Sequence, residues 1–499
     1  MESAPATTTS SSTQHGGGGG HIFLLAFPEA HGHVNPILQL GRHLAAHHGL
    51  LPTLVTTRHV LSTLPPPPAP FRVAAISDGF DSGGMAACGD AREYTRRLAE
   101  VGSETLRALL RSEADAGRPP RVLVYDPHLP WAGRVARGAG VPAAAFFSQP
   151  CAVDVIYGEV WAGRVGLPVV DGGALRGLLS VDIMGTPYPY GMVSCATPFY
   201  YCRNHVSTLS VELGPEDVPS FVKAPESYPP FLEAVLGQFD GLEDADDVLV
   251  NSFQELEPKE ADYLASAWRF KTVGPTVPSF YLDDDRLQPN KNYGFNISDS
   301  TSPCLAWLDN QPPCSVVYAS YGTVADLDPT QLDELGNGFC NSGKPFLWVV
   351  RSCNEHKLSE ELRDKCKERG LIVSWCPQLE VLSHKATGCF LTHCGWNSTT
   401  EAIVTGVPLL AMPQWTDQPT TAKYIESAWG NGVRVRRDKE GMVRKEEVER
   451  CIREVLESER KADYMKNANR WMKKAKEAMK KGGSSYNNIV EFASKYASY

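Results

Sequence analysis

Thr392-His393-Cys394-Gly395-Trp396-Asn397-Ser398 is the stretch on which the reading of this chain turns. The run Cys389–Thr392 before it reads as a buried strand, Gly395 permits a tight turn, and a helix is expected over Asn397–Thr405. A strand feeding a helix through a glycine turn is the repeating unit of a parallel α/β sheet. The start of such a helix offers unpaired backbone N–H groups and the positive end of the helix dipole, which together suit a pyrophosphate. Asn397 and Ser398 are helix-capping residue types that can also donate side-chain hydrogen bonds. Glu401 follows on the same helix face, placed to accept from the vicinal hydroxyls of a ribose. Alone, the stretch reads as an ordinary capped helix with an exposed glutamate.

Its surroundings change that reading. Strand Leu371–Trp375 brings Trp375 to a strand end ahead of Cys376-Pro377-Gln378, where a flat indole could stack on a base. Strand Leu409–Met412 leads to Asp417 and Gln418, a carboxylate and an amide suited to sugar hydroxyls. Strand Ser315–Ser320 runs into Ser320-Tyr321-Gly322-Thr323, whose hydroxyls could reach a phosphate. All of these lie at carboxyl ends of strands, the edge where doubly wound sheets bind ligands.

Further out, the alternation continues. Strands are expected at His21–Pro28, Leu51–Arg58, Phe71–Ser77, Arg121–Asp126, Val141–Ser148, Asp247–Asn251 and Phe346–Val350. Helices are expected from about Asn35 to His48, Trp131 to Ala139, Pro258 to Trp268 and Thr330 to Asn341. Lysine- and glutamate-rich helices close the chain at Lys445–Ser458, Lys461–Lys480 and Ser484–Tyr499. The predicted fold is α/β, two doubly wound Rossmann-like domains facing a cleft. A Ser/Thr/Gly tail occupies 1–20, a first domain 21–273, a polar linker 274–303 and a second domain 304–482; the helix over 483–499 is expected to pack back on the first domain. Val181–Ser210 breaks the pattern, being rich in aromatics without periodicity and flanked by the near-repeats Leu179-Ser180-Val181-Asp182 and Leu209-Ser210-Val211-Glu212. Deleting it joins Ser180 smoothly to Val211, so it reads as a retained in-frame intron, a lineage-specific insertion or a true acceptor-side loop.

Composition limits the function classes. A net charge of −10 argues against a nucleic-acid partner. The tail lacks the basic start and apolar core of a secretory signal, and no run of about 18 apolar residues occurs. The 13 cysteines have no metal or disulfide rhythm and read as reduced packing residues. A cytoplasmic monomer without membrane insertion is the expectation. The glycines at Gly16–Gly20 precede the first strand, and no strand–GxGxxG–helix unit follows one, which disfavours a dinucleotide-dependent dehydrogenase.

Trp375–Gln418 resembles the 44-residue signature of plant UDP-glycosyltransferases, from its opening Trp-Cys-Pro-Gln through His-Cys-Gly-Trp-Asn-Ser to the closing Asp-Gln. The resemblance implies a GT-B fold, with the second domain binding a UDP-sugar and the first an acceptor. By position it implies that Trp375, with Cys376 beside it, stacks on uracil and that Gln378 and Glu401 hold the ribose. Ser320, Thr323, His393, Gly395, Asn397 and Ser398 would surround the phosphates, and Trp396, Asp417 and Gln418 the sugar. Gln418 implies glucose as the donor sugar. In Gly32-His33-Val34-Asn35-Pro36, the family's general base falls on His33, with Asp126 as its carboxylate partner. The register of the motif selects His33 over the neighbouring His31.

The implied reaction is direct inversion on a UDP-glucose co-substrate, with no cofactor and no metal; Asp283-Asp284-Asp285 sits in the linker and reads as a solvated charge run. Phe146-Phe147-Ser148-Gln149-Pro150-Cys151 resembles a segment of family members that glucosylate small acids, hormones and trichothecene toxins, which puts Ser148 and Gln149 at the acceptor. The acceptor is then a hydroxyl or carboxyl of a small lipophilic molecule. The rival expectation is a UDP-binding but catalytically impaired homologue, should the 181–210 segment disrupt the first domain.

Overall fold

The computed structural model describes residues 20–175, 209–283, 291, 293, 303–322 and 326–497. Thr323, the tail before Gly20 and nearly all of the 181–210 segment lie outside them.

Two parallel sheets form the molecule. The first contains β1 (His21–Leu25), β2 (Leu51–Thr57), β3 (Arg72–Ile76), β4 (Val122–Tyr125), β5 (Ala143–Phe147), β6 (Asp247–Val250) and β7 (Phe270–Thr272), in the spatial order β3-β2-β1-β4-β5-β6-β7. The second contains β8 (Val316–Ser320), β9 (Phe346–Val349), β10 (Gly370–Val373), β11 (Thr387–Thr392), β12 (Leu409–Ala411) and β13 (Gly432–Arg434), in the order β10-β9-β8-β11-β12-β13. Each inner strand is buried on both faces, which is why Ile22-Phe23-Leu24-Leu25 and Cys389-Phe390-Leu391 are unbroken apolar runs. Strand order reverses between β1 and β4 in one sheet and between β8 and β11 in the other. At such a switch point the following loops diverge and leave a crevice. The His33 and Asp126 loops follow one pair; the Ser320 and His393 loops follow the other.

Several expected boundaries move. β1 stops at Leu25, because the chain turns through Glu29 at φ 59° rather than continuing extended to Pro28. The helix expected from Asn35 begins at His31, so His33 belongs to its first turn and Pro36 lies inside it. Trp375 does not end a strand: β10 ends at Val373 and Trp375 sits in the loop beyond. The helix after β11 runs Trp396–Thr405 with Gly395 as its N-cap and no side-chain cap. Asn397 and Ser398 therefore occupy its first turn, leaving their side chains for other partners.

Two long helices have no counterpart among the expected elements. Ala91–Asp115 is capped by Asp90 through the Glu93 amide and buries Tyr94, Leu98, Leu106 and Leu110 along one stripe. Cys151–Trp161 buries every residue from Cys151 to Val160, so it carries no amphipathic signal.

The halves are joined by more than the 274–303 connection. The helix Ser484–Tyr496 lies against the first sheet, with Asn488 on the Thr272 carbonyl and Tyr496 Oη on Asp247. Residues 210–222 of the first half reach the second: the Ser220 amide donates to the Thr416 carbonyl, and Asp217 is ion-paired with Arg434. Ser210 donates its amide and hydroxyl to Glu260, which also accepts from Tyr424 Oη.

Candidate active site between the two sheets

The carboxyl ends of both sheets face one cleft of about 1350 Å³. That exceeds the few hundred to about 1,000 Å³ usual for one small ligand and suits two.

On the first-domain wall, His33 Nδ1 donates to Asp126 Oδ2 at 2.6 Å. With its proton on that side, the imidazole presents the Nε2 lone pair to the cleft that it lines. Burial works against the charged imidazole, but the Asp126 carboxylate outweighs it and raises the His33 pKa above the ordinary 6.5. Burial likewise opposes the Asp126 charge, and the two histidines His33 and His128 overcome it, holding the carboxyl far below its usual range. Among the described residues the neighbouring His31 has no carboxylate partner, and burial pushes its pKa down, so the geometry separates the two histidines that composition could not. Ser148 and Gln149 follow β5 and line the cleft, with Gln149 Nε2 anchored on Asp154 Oδ1.

Opposite stands the helix Trp396–Thr405. Its first backbone bond runs from the Thr399 amide to the Gly395 carbonyl, so the amides of residues 396–398 precede the helical ladder. His393 fits between two glycines: a Cβ on Gly322 would lie 2.7 Å from its ring, and one on Gly395 2.4 Å from Nε2. Burial lowers the His393 pKa to about 4, against a smaller upward pull from the Ser320 backbone, leaving a neutral ring; among the described residues its buried Nδ1 finds no hydrogen-bond partner of good geometry. We expect Gly395→Ala to push this ring aside and cost about 1–3 kcal/mol of stability. Urea midpoints check this, with Gly138→Ala, whose Cβ meets nothing within 4 Å, as the unchanged control.

Further along the same wall, one hydrogen-bonded chain organises the polar groups. Tyr318 Oη donates to Gln378 Oε1 at 2.9 Å, which turns Gln378 Nε2 toward Ser398 Oγ at 2.9 Å and Glu401 Oε2 at 2.7 Å. Tyr293 Oη takes the other Glu401 oxygen at 2.9 Å. Burial pushes the Glu401 carboxyl up to about 7, moderated by Gln378 and Tyr293. Trp375, Cys376 and Ser320 line the same cleft. Tyr318, Tyr293 and His128 were not among the expected site residues. Tyr293 lies within the segment expected only to link the domains.

The third cluster joins the walls. Trp396 Nε1 donates to the Asn251 carbonyl at 2.7 Å, and Asn397 Nδ2 to the Gly32 carbonyl at 3.0 Å. The amide that would ordinarily bond to Gly32 in the helix belongs to residue 36, which is proline, so that carbonyl is open to Asn397. Asp417 lines the cleft with its carboxyl raised to about 7 by burial. Gln418 is buried at the start of the next helix, its Oε1 turned back onto the Gln414 and Trp415 amides. Trp415 packs edge-on against Phe221 and Phe231, giving the cleft an apolar corner.

Residues 287–475 match the family described as UDP-glucoronosyl and UDP-glucosyl transferase. UDP-glycosyltransferase 79 of Oryza sativa subsp. japonica is 64% identical over 477 residues, covering 95% of this chain and 97% of that protein. UDP-glucosyltransferase UGT13248 of Hordeum vulgare is 62% identical, covering 96% and 94%. The crystal structure of Os79 from O. sativa in complex with UDP superposes with a TM-score of 0.87 at 64% identity, covering 95% of this chain and all of that one. With its paired parallel sheets and this kinship over nearly its whole length, the chain belongs to the plant UDP-glycosyltransferases and has their GT-B fold.

Proposed function

We propose that the protein transfers glucose from UDP-glucose, with inversion, to a hydroxyl of a small lipophilic acceptor of the trichothecene type. The observation that carries this is the His33–Asp126 pair facing the start of the Trp396–Thr405 helix across the cleft. It sets a base and an anion-binding helix end on opposite walls. The acceptor class follows from kinship: an Os79 structure holds UDP and deoxynivalenol-3-glucoside, at 62% identity and a TM-score of 0.84.

In this reading uracil stacks on Trp375 beside Cys376, and the ribose hydroxyls bind Glu401 and Gln378. The diphosphate lies on the amides at residues 396–398 with Ser320, His393, Asn397 and Ser398. The glucose reaches Trp396, Asp417 and Gln418, and the acceptor rests against Ser148 and Gln149. His33 Nε2 takes the hydroxyl proton as the acceptor oxygen bonds to the anomeric carbon; the bond to the β-phosphate breaks and its electron pair leaves with UDP. Asp126 holds the tautomer and meets the imidazolium charge. The leaving charge is met by helix amides and hydroxyls, so the reading gives a metal no role. Among the described residues no helix is long and apolar enough to cross a membrane; a cytoplasmic monomer remains part of the proposal.

The binding-only alternative finds no support: the seven strands of the first sheet pair in register, and Ser210, the last residue of the 181–210 segment, is seated on Glu260. The test is UDP release from UDP-glucose with a panel holding deoxynivalenol, a phenol and a carboxylic acid. Turnover is expected with the trichothecene; UDP binding without turnover on any acceptor overturns the proposal.

A further inference from the structure

Asp126 carries more hydrogen bonds than a base pair with His33 requires. Its Oδ2 accepts from His33 Nδ1 at 2.6 Å and from the Phe27 amide at 3.4 Å. Its Oδ1 accepts twice from one residue, the His128 amide and the His128 ring Nδ1, both at 2.9 Å. The carboxylate is only 3% exposed, so these donors stand where water otherwise would. The two imidazoles meet edge to face, centroids 5.0 Å apart and planes at 83°, and both line the cleft. Three possible metal-ligand atoms of His33, Asp126 and His128 lie within 4.8 Å of one another, a grouping that the hydrogen bonds already explain.

A carboxylate with a single imidazole partner turns its whole charge on that partner. It then stabilises the imidazolium strongly and slows return of the proton. A second donor on the other oxygen withdraws part of that charge and stops the carboxylate from rotating. We propose that His128 is a second positioning residue for the proton transfer, sharing Asp126 with His33 so that the carboxylate orients the base without trapping its proton. The inference rests on His33 being the base.

The other charged and titratable groups that line this cleft are His31 on the base's own helix, Arg92, Arg96, Arg134, Glu233 and Asp240 from the first half, and Lys291, Tyr293, Tyr318, Arg351, Cys376, Glu380, His393, Glu401 and Asp417 beyond it. Asp126 is the ion-pair partner found for His33.

The test is the pH profile of kcat/KM on a hydroxyl acceptor for the wild type, His128→Phe, His128→Asn and His33→Ala. Phenylalanine keeps the ring volume and the exclusion of water but removes the donor. Asparagine places an amide N–H close to the position of Nδ1. His128→Phe is expected to move the acid limb upward by about one unit, a roughly tenfold loss below it, and His128→Asn to restore it. A His128→Phe profile that superimposes on wild type, falls evenly at every pH, or is matched by His128→Asn overturns the inference. Undiminished activity of His33→Ala instead overturns the assignment of the base, and so separates the two failures. UDP binding of each variant, set by the opposite domain, reports that the chain is folded.

Discussion

His33→Ala is expected to lower kcat/KM on a hydroxyl acceptor by about 10²–10⁴-fold while leaving the Kd for UDP unchanged. The loss arises because the acceptor O–H must give up its proton as it attacks, and His33 is the imidazole in the cleft held in the accepting tautomer by Asp126. Asp126→Asn is expected to fall nearly as far, because an amide can donate to Nδ1 and turn the wrong nitrogen to the cleft. The sign of the pH dependence follows from the raised His33 pKa. The base must be neutral, so activity is full above that pKa and is lost as pH falls through it, at a value higher than an ordinary histidine's. A carboxylic acid arrives ionised and needs no base, so His33→Ala should spare it. Steady-state kinetics on an alcohol and an acid check both statements, and equal losses on the two would falsify the proton-transfer role.

The second large effect is on stability. Asp217 and Arg434 are 2% and 6% exposed and pair across the halves of the molecule. Asp217 also accepts from the Gly214 amide, while its carbonyl takes the Thr420 hydroxyl. Arg434 further donates to the Glu216 carbonyl. Asp217→Ala strands a guanidinium in a dry interface and is expected to cost about 3–5 kcal/mol. The double change Asp217→Leu with Arg434→Met removes both charges and should cost clearly less, since much of a buried pair's attraction is offset by desolvation. Urea midpoints of the two variants decide: equal destabilisation would show that packing, and not an orphaned charge, sets the loss.

Much of the site was legible because Trp375–Gln418, 44 consecutive residues, runs through the loops that follow three strands of one sheet, β10, β11 and β12. Local chemistry and position along the strand alternation then point the same way. Tyr293 was illegible because its partner Glu401 is 108 residues away, and its own surroundings are polar and proline-rich like any connection. His128 was passed over because a histidine two residues beyond Asp126 looks like ordinary loop sequence until the carboxylate's second oxygen is located. The helix Cys151–Trp161 was hidden by its complete burial, since apolar residues on every side leave no period. Asn397 and Ser398 have the residue types of caps, whereas the tight approach of His393 leaves room only for glycine at the cap itself.

Pro36 has an effect well beyond its own helix. By withholding one N–H it opens the Gly32 carbonyl to Asn397, whose planar amide carries two hydrogens. One of them grips the turn that carries His33. In the proposed complex the other faces the diphosphate. A single rigid group then gauges the gap between proton acceptor and leaving group, so their spacing is inherited from amide geometry and not from the independent wandering of two bodies. Part of the entropy of alignment is thereby settled before the acceptor arrives.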